Sequence, residues 1–273
     1  MALATLERKN AVVTGAAMGI GRALVEELLR HGASVCLADI DSATLSATAA
    51  HLSVRLRPGQ RVLTQVTDVS QPESVDALAD VAWRELGTVD LLCANAGVTT
   101  AYGGAPDEMP LADWHRQFDV NVFGVVHCLQ AFLPRMRTKE SPSHVLITAS
   151  SAGLLPTANR AAYCASKHAV VGIGESLCLQ LKGTPIGVTL LCPGVTATRM
   201  LEPDRNRPDG KPGRPLNPSL LAHAKRPEEV ARLGVAAVMA GTFWVLTHDD
   251  LKPAVLARAA AMAGASAPPD SYH

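Results

Sequence analysis

Charge of one sign and long apolar runs are both missing from this sequence, and each absence excludes a class of partner. Its 25 Lys and Arg balance its 25 Asp and Glu, so the formal net charge is zero, and neither nucleic acid nor a membrane surface is an expected partner. Gly, His or charged residues interrupt every apolar stretch before it reaches the roughly 18 residues of a membrane-spanning helix, and no signal peptide is visible. We therefore expect a cytoplasmic protein.

Paired cysteines and metal-ligand groups are missing too. The six cysteines contain no C-x-x-C pair and fall mostly within apolar segments, where a cysteine is usually a small reduced hydrophobe. No set of His, Cys, Asp and Glu has the spacing of a metal site. The sequence therefore predicts neither a disulfide framework nor a metal.

Strand-like apolar runs alternate with helical patterns along the whole chain. Strands are predicted at 11–14, 34–39, 62–66, 89–94, 144–149, 187–192 and 243–246. Helices are predicted at 20–30, 41–52, 72–86, 111–136, 163–182, 227–240 and 250–263. Strands separated by helices pair in parallel through right-handed crossovers, so we predict one α/β domain over 1–273, a doubly wound parallel sheet of about seven strands with helices on both faces.

A glycine-rich turn joins the first predicted strand to the first predicted helix, from Thr14 to Gly21. Glycines let backbone amides approach a pyrophosphate closely, and the N-terminus of the following helix favours the anion. A glycine cluster alone is weak evidence, but the strand before it and the helix after it are the context of a dinucleotide site. The candidate cofactor contacts are Gly15, Met18, Gly19, Ile20 and Gly21.

Asp39 ends the second predicted strand, 18 positions beyond the last glycine of that turn. A dinucleotide site places an acid there against the adenosine ribose hydroxyls. Its carboxylate would repel the 2′-phosphate of NADP, and Met18 and Ile40 occupy the places where a basic residue would favour that phosphate. We therefore predict NAD(H). Arg22 and Arg61 could supply a compensating charge, so NADP(H) stays as the alternative.

Tyr163 and Lys167 lie four residues apart, on one face of a predicted helix. At about 4 Å and an effective dielectric near 20, the attraction between a phenolate and an ammonium is about 4 kcal/mol. That would move the pKa of a tyrosine from about 10 toward about 7, where it can act as a general acid or base. Taken alone, such a pair is far more often an ordinary helix contact.

Ordered motifs give the chain its resemblance to the classical short-chain dehydrogenase/reductase (SDR) family over roughly residues 6–247. They are Thr14-Gly-x-x-x-Gly-Ile-Gly21, Asp68-Val69, Asn95-Ala96-Gly97, Asn121, Ser150, Tyr163-x-x-x-Lys167 and Pro193-Gly194. The resemblance implies a Rossmann-type fold. The further cofactor contacts that it implies are Asp68, Val69, Asn95, Ala96, Gly97, Tyr163, Lys167, Pro193, Gly194, Val195 and Thr198, with a structural role as the alternative for Asn95.

The resemblance also implies metal-free hydride transfer between nicotinamide and a carbinol carbon. Tyr163 would accept the alcohol proton, Lys167 would lower the pKa of that tyrosine, and Ser150 would donate to the substrate oxygen. Asn121 would hold a water that links Lys167 to solvent, with an ordinary polar helix residue as its alternative. The alternatives to an NAD-dependent dehydrogenase are an NADPH-dependent carbonyl reductase and a non-catalytic NAD(H)-binding regulatory protein.

Substrate and assembly follow from the same resemblance. The segment over about 199–226 would close over substrate. Thr247-His248 stands after the last strand, which departs from the commonest pattern of the family, and the tail over about 248–273 follows it. Leu154, Leu155 and Pro156 predict an apolar pocket for a hydrophobic secondary alcohol or ketone, with cyclic molecules among the candidates. Cations within 199–214 could hold a substrate carboxylate or form a solvated loop face. A homotetramer or homodimer is expected through the helices at 111–136 and 163–182.

Overall fold

The computed structural model describes residues 2–99, 105–158, 160–201, 223–265 and 267. Its strands are β1 Asn10–Thr14, β2 Ser34–Asp39, β3 Val62–Val66, β4 Leu91–Ala94, β5 Ser143–Thr148, β6 Ile186–Cys192 and β7 Trp244–Leu246. Its helices are α1 Gly19–Arg30, α2 Ser42–Ser53, α3 Pro72–Leu86, α4 Leu111–Phe118, α5 Gly124–Arg137, α6 Ala161–Gln180, α7 Pro227–Ala240 and α8 Lys252–Ala263.

These strands form one sheet in the order β3-β2-β1-β4-β5-β6-β7, and every neighbouring pair is parallel. The sequence prediction of a Rossmann-type doubly wound parallel sheet is confirmed. The strand order reverses between β1 and β4, where such sheets open a crevice at the carboxyl ends of their strands.

Helices cover both faces of the sheet and give it two apolar cores. One core joins the sheet to α3, α5 and α6, and the other joins it to α1, α2 and α7. β5 and β6 are buried at every residue, as the central strands of a sheet covered on both faces must be. Helices thus leave the ends of the strands, rather than their faces, open for a site.

The predicted helix over 111–136 contains a π-helical turn at Asp119–Phe123, between α4 and α5. The Asn121 side chain lies in this turn and bonds the chain after β4. Its Oδ1 accepts from the Val98 amide at 2.8 Å, and its Nδ2 donates to the Val98 carbonyl at 2.9 Å. Hydrophobic periodicity predicts a helix there but not the extra residue in one turn, because the turn is fixed by this contact across the fold.

Other bounds differ from the prediction by one or two residues. β4 begins at Leu91 rather than at 89, and the Asp90 carboxylate just before it accepts from the Asn10 amide at 3.0 Å and from Lys139 Nζ at 2.6 Å. α6 begins at Ala161, two residues before the predicted start. Residues 202–222 of the predicted substrate loop lie outside the described residues, and α8 lies within the predicted tail.

The six cysteines are free thiols, and all but Cys178 are buried. Burial raises the pKa of Cys36, Cys128 and Cys192 to about 12, so these thiols are protonated hydrophobes, as predicted. Among the helices of the described segments, none combines the length and the hydropathy that crossing a bilayer requires. Those same segments bring no three His, Cys, Asp or Glu together as a potential metal-binding set.

Candidate active site

The glycine turn forms a cradle at the N-terminus of α1. Gly15 and Gly19 have φ values of +66° and +56°, which glycine adopts without strain. A Cβ at Gly21 would lie 1.9 Å from the Gly15 carbonyl oxygen, so only glycine lets α1 begin this close to the turn. Met18 is the N-cap residue of α1, its side chain does not cap the helix, and no acidic residue lies in the first turn. The cradle therefore fits a pyrophosphate.

Asp39 connects this cradle to the end of β2. Its Oδ2 accepts from the Ala17 amide at 3.0 Å, and its Oδ1 accepts from the Asp41 amide at 3.0 Å. Each carboxylate oxygen keeps a second lone pair with which to accept from a ribose hydroxyl. Arg22, one of the two cations that could have favoured NADP(H), is paired with Glu26 at 2.8 Å on its own helix.

The side chains of Asp68 and Asn95, two further predicted cofactor contacts, both form hydrogen bonds within the protein. The Asp68 carboxylate accepts from the Ser70 amide at 2.9 Å and from its hydroxyl at 2.7 Å, at the end of β3. Asn95 links three strands: its Nδ2 donates to the Thr14 carbonyl at 2.9 Å, and its Oδ1 accepts from the Thr148 hydroxyl at 3.1 Å. The structural alternative for the Asn95 side chain is therefore the role that these contacts show.

Ala96, Gly97 and Val69 complete the floor of the crevice. The Ala96 amide donates to the Thr14 hydroxyl at 3.1 Å, which holds the end of β4 beside the end of β1. Val69 is buried, and a Cβ at Gly124 would lie 2.8 Å from its Cγ2. Ile40, by contrast, is 66% exposed beside Asp39.

Lys167 and Asn121 meet at Gly97. A Cβ on that glycine would lie 3.2 Å from Asn121 Oδ1 and 3.4 Å from Lys167 Nζ. Lys167 Nζ donates to the Thr148 carbonyl at 3.0 Å, and Asn121 Nδ2 donates to the Ser166 hydroxyl at 3.0 Å. α6 and the π-helical turn thus place an amide and an ammonium together at the end of β5.

Ser150 and Tyr163 lie in the same region and are both buried. The Ser150 hydroxyl accepts from the Ala152 amide at 3.1 Å and lies 3.5 Å from the Pro193 carbonyl. Burial raises the pKa of the Tyr163 phenol, and a hydrogen bond with Ser150 opposes part of that rise. The four residues predicted as catalytic are therefore gathered at one edge of the sheet.

The electrostatics of this group correct one sequence expectation. Burial raises the pKa of Tyr163, and the cation that opposes the rise is Arg160, not Lys167. Burial also lowers the pKa of Lys167 to about 8. The predicted fall of the tyrosine pKa toward 7 is wrong for this structure, because the pairwise estimate left out what both groups lose when they leave water.

Arg160 is the site residue that sequence reasoning missed. Its guanidinium carbon lies 4.7 Å from the centre of the Tyr163 ring, and its Nη2 donates to the Thr99 hydroxyl at 3.3 Å. The spacing of three residues before Tyr163 was the available signal. It could be recognised only by treating the residue before α6 as part of the helix face.

The chain after β6 runs back to the glycine cradle. A Cβ at Gly19 would lie 3.2 Å from Thr198 Cγ2, so Thr198 borders the glycine cradle. The Ser151 amide donates to the Pro193 carbonyl at 2.8 Å, which joins this segment to the residue after Ser150. Val195 pairs through its carbonyl with the Lys225 amide at 3.0 Å. Pro193, Gly194, Val195 and Thr198 therefore lie between the candidate catalytic group and the cradle.

Thr247 and His248, which follow β7, pack against Gly194. The Gly194 amide donates to the Thr247 hydroxyl at 3.3 Å, and that hydroxyl lies 2.8 Å from His248 Nδ1. A Cβ at Gly194 would lie 2.6 Å from the same nitrogen. Burial lowers the pKa of His248, so the neutral imidazole packs directly on the glycine.

A crevice at the strand reversal, with a glycine cradle on one side and a buried Tyr–Lys pair on the other, defines an α/β protein of the nucleotide-binding oxidoreductase class. The model of the short chain dehydrogenase family matches residues 9–209. The chain belongs to that family and is an SDR oxidoreductase, which confirms the resemblance drawn from its motifs.

Relatives and solved structures agree with this membership. The chain is 38% identical over 247 residues to 1-deoxy-11-beta-hydroxypentalenate dehydrogenase of Streptomyces exfoliatus, covering 90% of this chain and 86% of that one. A Burkholderia phymatum SDR in complex with NAD is similar at a TM-score of 0.88 and 35% identity, over 97% of this chain and 98% of that one. An alcohol dehydrogenase of Thermococcus sibiricus complexed with 5-hydroxy-NADP is similar at a TM-score of 0.73 and 25% identity, over 88% of this chain and 96% of that one.

Proposed function

We propose that this protein interconverts a hydrophobic secondary alcohol and its ketone by metal-free hydride transfer with NAD(H). The observation that carries the proposal is the gathering of Tyr163, Ser150, Lys167 and Asn121 at the edge of the sheet that also bears the glycine cradle. Its Streptomyces relative is named for a hydroxypentalenate, a hydroxylated carboxylate by that name, and for a dehydrogenase activity. Leu154 and Pro156 offer apolar surface after Ser150, whereas Leu155 is 2% exposed and belongs to the interior.

Each side chain has a separate task in the proposed reaction. Bound nicotinamide supplies the hydride acceptor or donor. The Tyr163 phenolate takes the proton of the alcohol during oxidation, and the Ser150 hydroxyl donates to the same oxygen as charge develops on it. Lys167 supplies a donor for the nicotinamide ribose. Asn121 fixes the chain after β4 and holds a water through which the lysine exchanges protons with solvent.

The preference for NAD(H) over NADP(H) rests on Asp39. Its carboxylate stands at the end of β2 with no Lys or Arg paired to it in the described chain, and Arg22 is held by Glu26. A 2′-phosphate placed beside an uncompensated carboxylate meets like-charge repulsion, whereas ribose hydroxyls find an acceptor.

Parallel fluorescence titrations with NADH and NADPH test the proposed function. We expect NADH to bind at least about tenfold more tightly, because like charges brought together cost several kcal/mol in an interface. A preference for NADPH would make an NADPH-dependent carbonyl reductase the better reading. Binding of neither would remove the nicotinamide chemistry altogether. NADH binding without turnover of any alcohol in a broad panel would favour a regulatory NAD(H)-binding protein.

A second prediction concerns Gly194. Gly194→Ala should lower kcat/KM for NAD⁺ by about 10- to 100-fold, because its Cβ would overlap His248 and displace the segment by a fraction of an ångström to about 1 Å. The double variant Gly194→Ala/His248→Ala should recover much of that loss, since removing the imidazole makes room for the new methyl group. Steady-state kinetics on wild type, both single variants and the double variant measure the coupling. Additive losses in the double variant would show that the contact does not position the segment.

We also propose that copies of this chain associate through α4, the π-helical turn, α5 and α6, as a homotetramer or homodimer. Large apolar side chains are exposed along these elements: Leu111 is 70% exposed, Phe123 49% and Leu179 62%. Apolar surface of this kind, distributed over neighbouring helices, is typical of a covered face. Its burial against a second copy would leave the strand ends, and therefore the crevice, accessible.

A further inference from the structure

Arg160 occupies an unusual position for an exposed arginine. It caps the N-terminal end of α6, where its carbonyl accepts from the Cys164 amide at 2.9 Å. From there its guanidinium lies over the ring of Tyr163, the candidate proton acceptor, at 4.7 Å from the ring centre. The guanidinium is thus fixed to the reacting group itself, three residues away on the same helix.

The charge of Arg160 has no carboxylate partner within the described part of the chain. The Thr99 hydroxyl is its one polar contact there, and it takes one of the five N–H donors that a guanidinium offers. Other arginines of this protein do pair: Arg22 with Glu26, and Arg135 with Asp80 at 2.5 Å. Arg160 is therefore oriented by stacking and by one hydroxyl, with most of its hydrogen-bonding capacity left for a ligand.

The proposed reaction places that ligand. A substrate whose carbinol oxygen meets Tyr163 and Ser150 has its adjoining atoms next to the ring that carries Arg160. Planar guanidinium matches a carboxylate through two parallel hydrogen bonds, which no neutral group reproduces. Leu154 and Pro156, which follow Ser150 along the chain, are apolar and partly exposed, so the rest of such a substrate would be hydrophobic.

We propose that Arg160 binds a carboxylate carried by the substrate, so that the natural substrate is a hydrophobic hydroxy acid or its keto acid. This inference rests on the proposed function and narrows its substrate class. The hydroxyl and the carboxylate would lie a few carbon atoms apart, because the guanidinium carbon lies only 4.7 Å from the centre of the Tyr163 ring.

Arg160 also has a plain electrostatic effect, since burial raises the pKa of Tyr163 and the charge of Arg160 opposes part of that rise. That effect would act on every alcohol alike, whether or not it bears a carboxylate. Recognition of a carboxylate would act on acidic substrates alone. Comparing acidic substrates with neutral substrates of the same shape therefore separates the two roles.

The experiment uses one-, two- and three-ring alicyclic secondary alcohols, each as its carboxylate and as its primary carboxamide. For each alcohol that the wild-type protein oxidises, we expect kcat/KM to be at least about tenfold higher for the carboxylate than for the carboxamide. Arg160→Gln should raise KM for the acid by about tenfold or more and leave KM for the amide within about twofold. Arg160→Lys, which keeps the charge but not the fork, should fall between the two.

Two controls and four possible outcomes test this assignment. Arg232→Gln, on the exposed face of α7, should leave KM unchanged for both the acid and the amide. The NADH dissociation constant should be the same in all variants. Equal kcat/KM for acid and amide in wild type, or equal losses on both in Arg160→Gln, would overturn the carboxylate role. If the protein binds NADH and turns over only the amides, the carboxylate role is overturned and the proposed function stands. If the wild-type protein does not bind NADH, the result counts against the proposed function instead.

Discussion

Replacing Tyr163 with Phe is expected to lower kcat for alcohol oxidation by about 10²- to 10⁴-fold, the range that a positioned general acid or base contributes. The substitution removes the hydroxyl and keeps the ring. The ring is buried and supports the Arg160 guanidinium from below, so packing and the cation–π contact should both persist. The NADH dissociation constant should be unchanged within about twofold, because the cradle at α1 and the Asp39 carboxylate lie outside the change.

Stopped-flow or steady-state kinetics with NAD⁺ measure the loss, and fluorescence titration measures cofactor affinity on the same preparation. Cys164→Ala is a matched control, since it removes a buried thiol from the next position of α6 and leaves the phenol in place. Its kcat should stay within about threefold of wild type, as expected of a substitution outside the reacting group. A Tyr163→Phe variant that keeps its turnover, or one that no longer binds NADH, would refute the role given to the phenol.

Much of the fold was predictable because each strand and helix carries its own local pattern. β5 and β6 are continuous apolar runs with the length of strands, and the glycine turn lies between a strand pattern and a helix pattern. Since parallel strands joined by helices cross over with one hand, these local signals determine the sheet and place every motif at one edge. The ordered motifs then identify the family without any knowledge of distances.

Long-range contacts explain what the sequence could not predict. The π-helical turn exists because Asn121 bonds the chain at Val98, and Gly194 is held by residues 53 positions later along the chain. Neither contact leaves a periodic signal. The pKa of Tyr163 could not be predicted for a related reason: it depends on how completely water is removed, a property of the folded surroundings and not of the spacing to Lys167.

Lys167 is where function and stability should oppose each other most sharply. Its ammonium is buried, donates to the Thr148 carbonyl at 3.0 Å and has no carboxylate paired with it in the described segments. Burial lowers the pKa of Lys167 from 10.5 to about 8. At about 1.4 kcal/mol per pH unit, keeping this group charged at neutral pH costs the folded protein about 3 kcal/mol.

Lys167→Met should therefore lower kcat/KM by about 10²-fold or more and yet raise the free energy of unfolding at pH 7 by about 1–3 kcal/mol. Methionine has a similar length and is uncharged, so its burial carries no cost of removing a charge from water. The Thr148 carbonyl loses its hydrogen-bond donor, however, and this loss offsets part of the gain in stability. Urea unfolding at pH 7 measures the difference. Lys182→Met, on an exposed lysine just after α6, should change stability by less than about 0.5 kcal/mol.

The pH dependence gives this prediction its independent check. Between pH 8 and about 10.5 the unfolded chain still holds the lysine proton, whereas the folded protein has released it, so raising the pH favours the folded state over this window. Relative to Lys167→Met, wild type should gain stability steadily from pH 8 upward, and the gap between the two should narrow. A Lys167→Met variant that is less stable than wild type at pH 7, or a gap that does not change with pH, would mean that the ammonium is stabilised by the fold and that its burial has no price in stability.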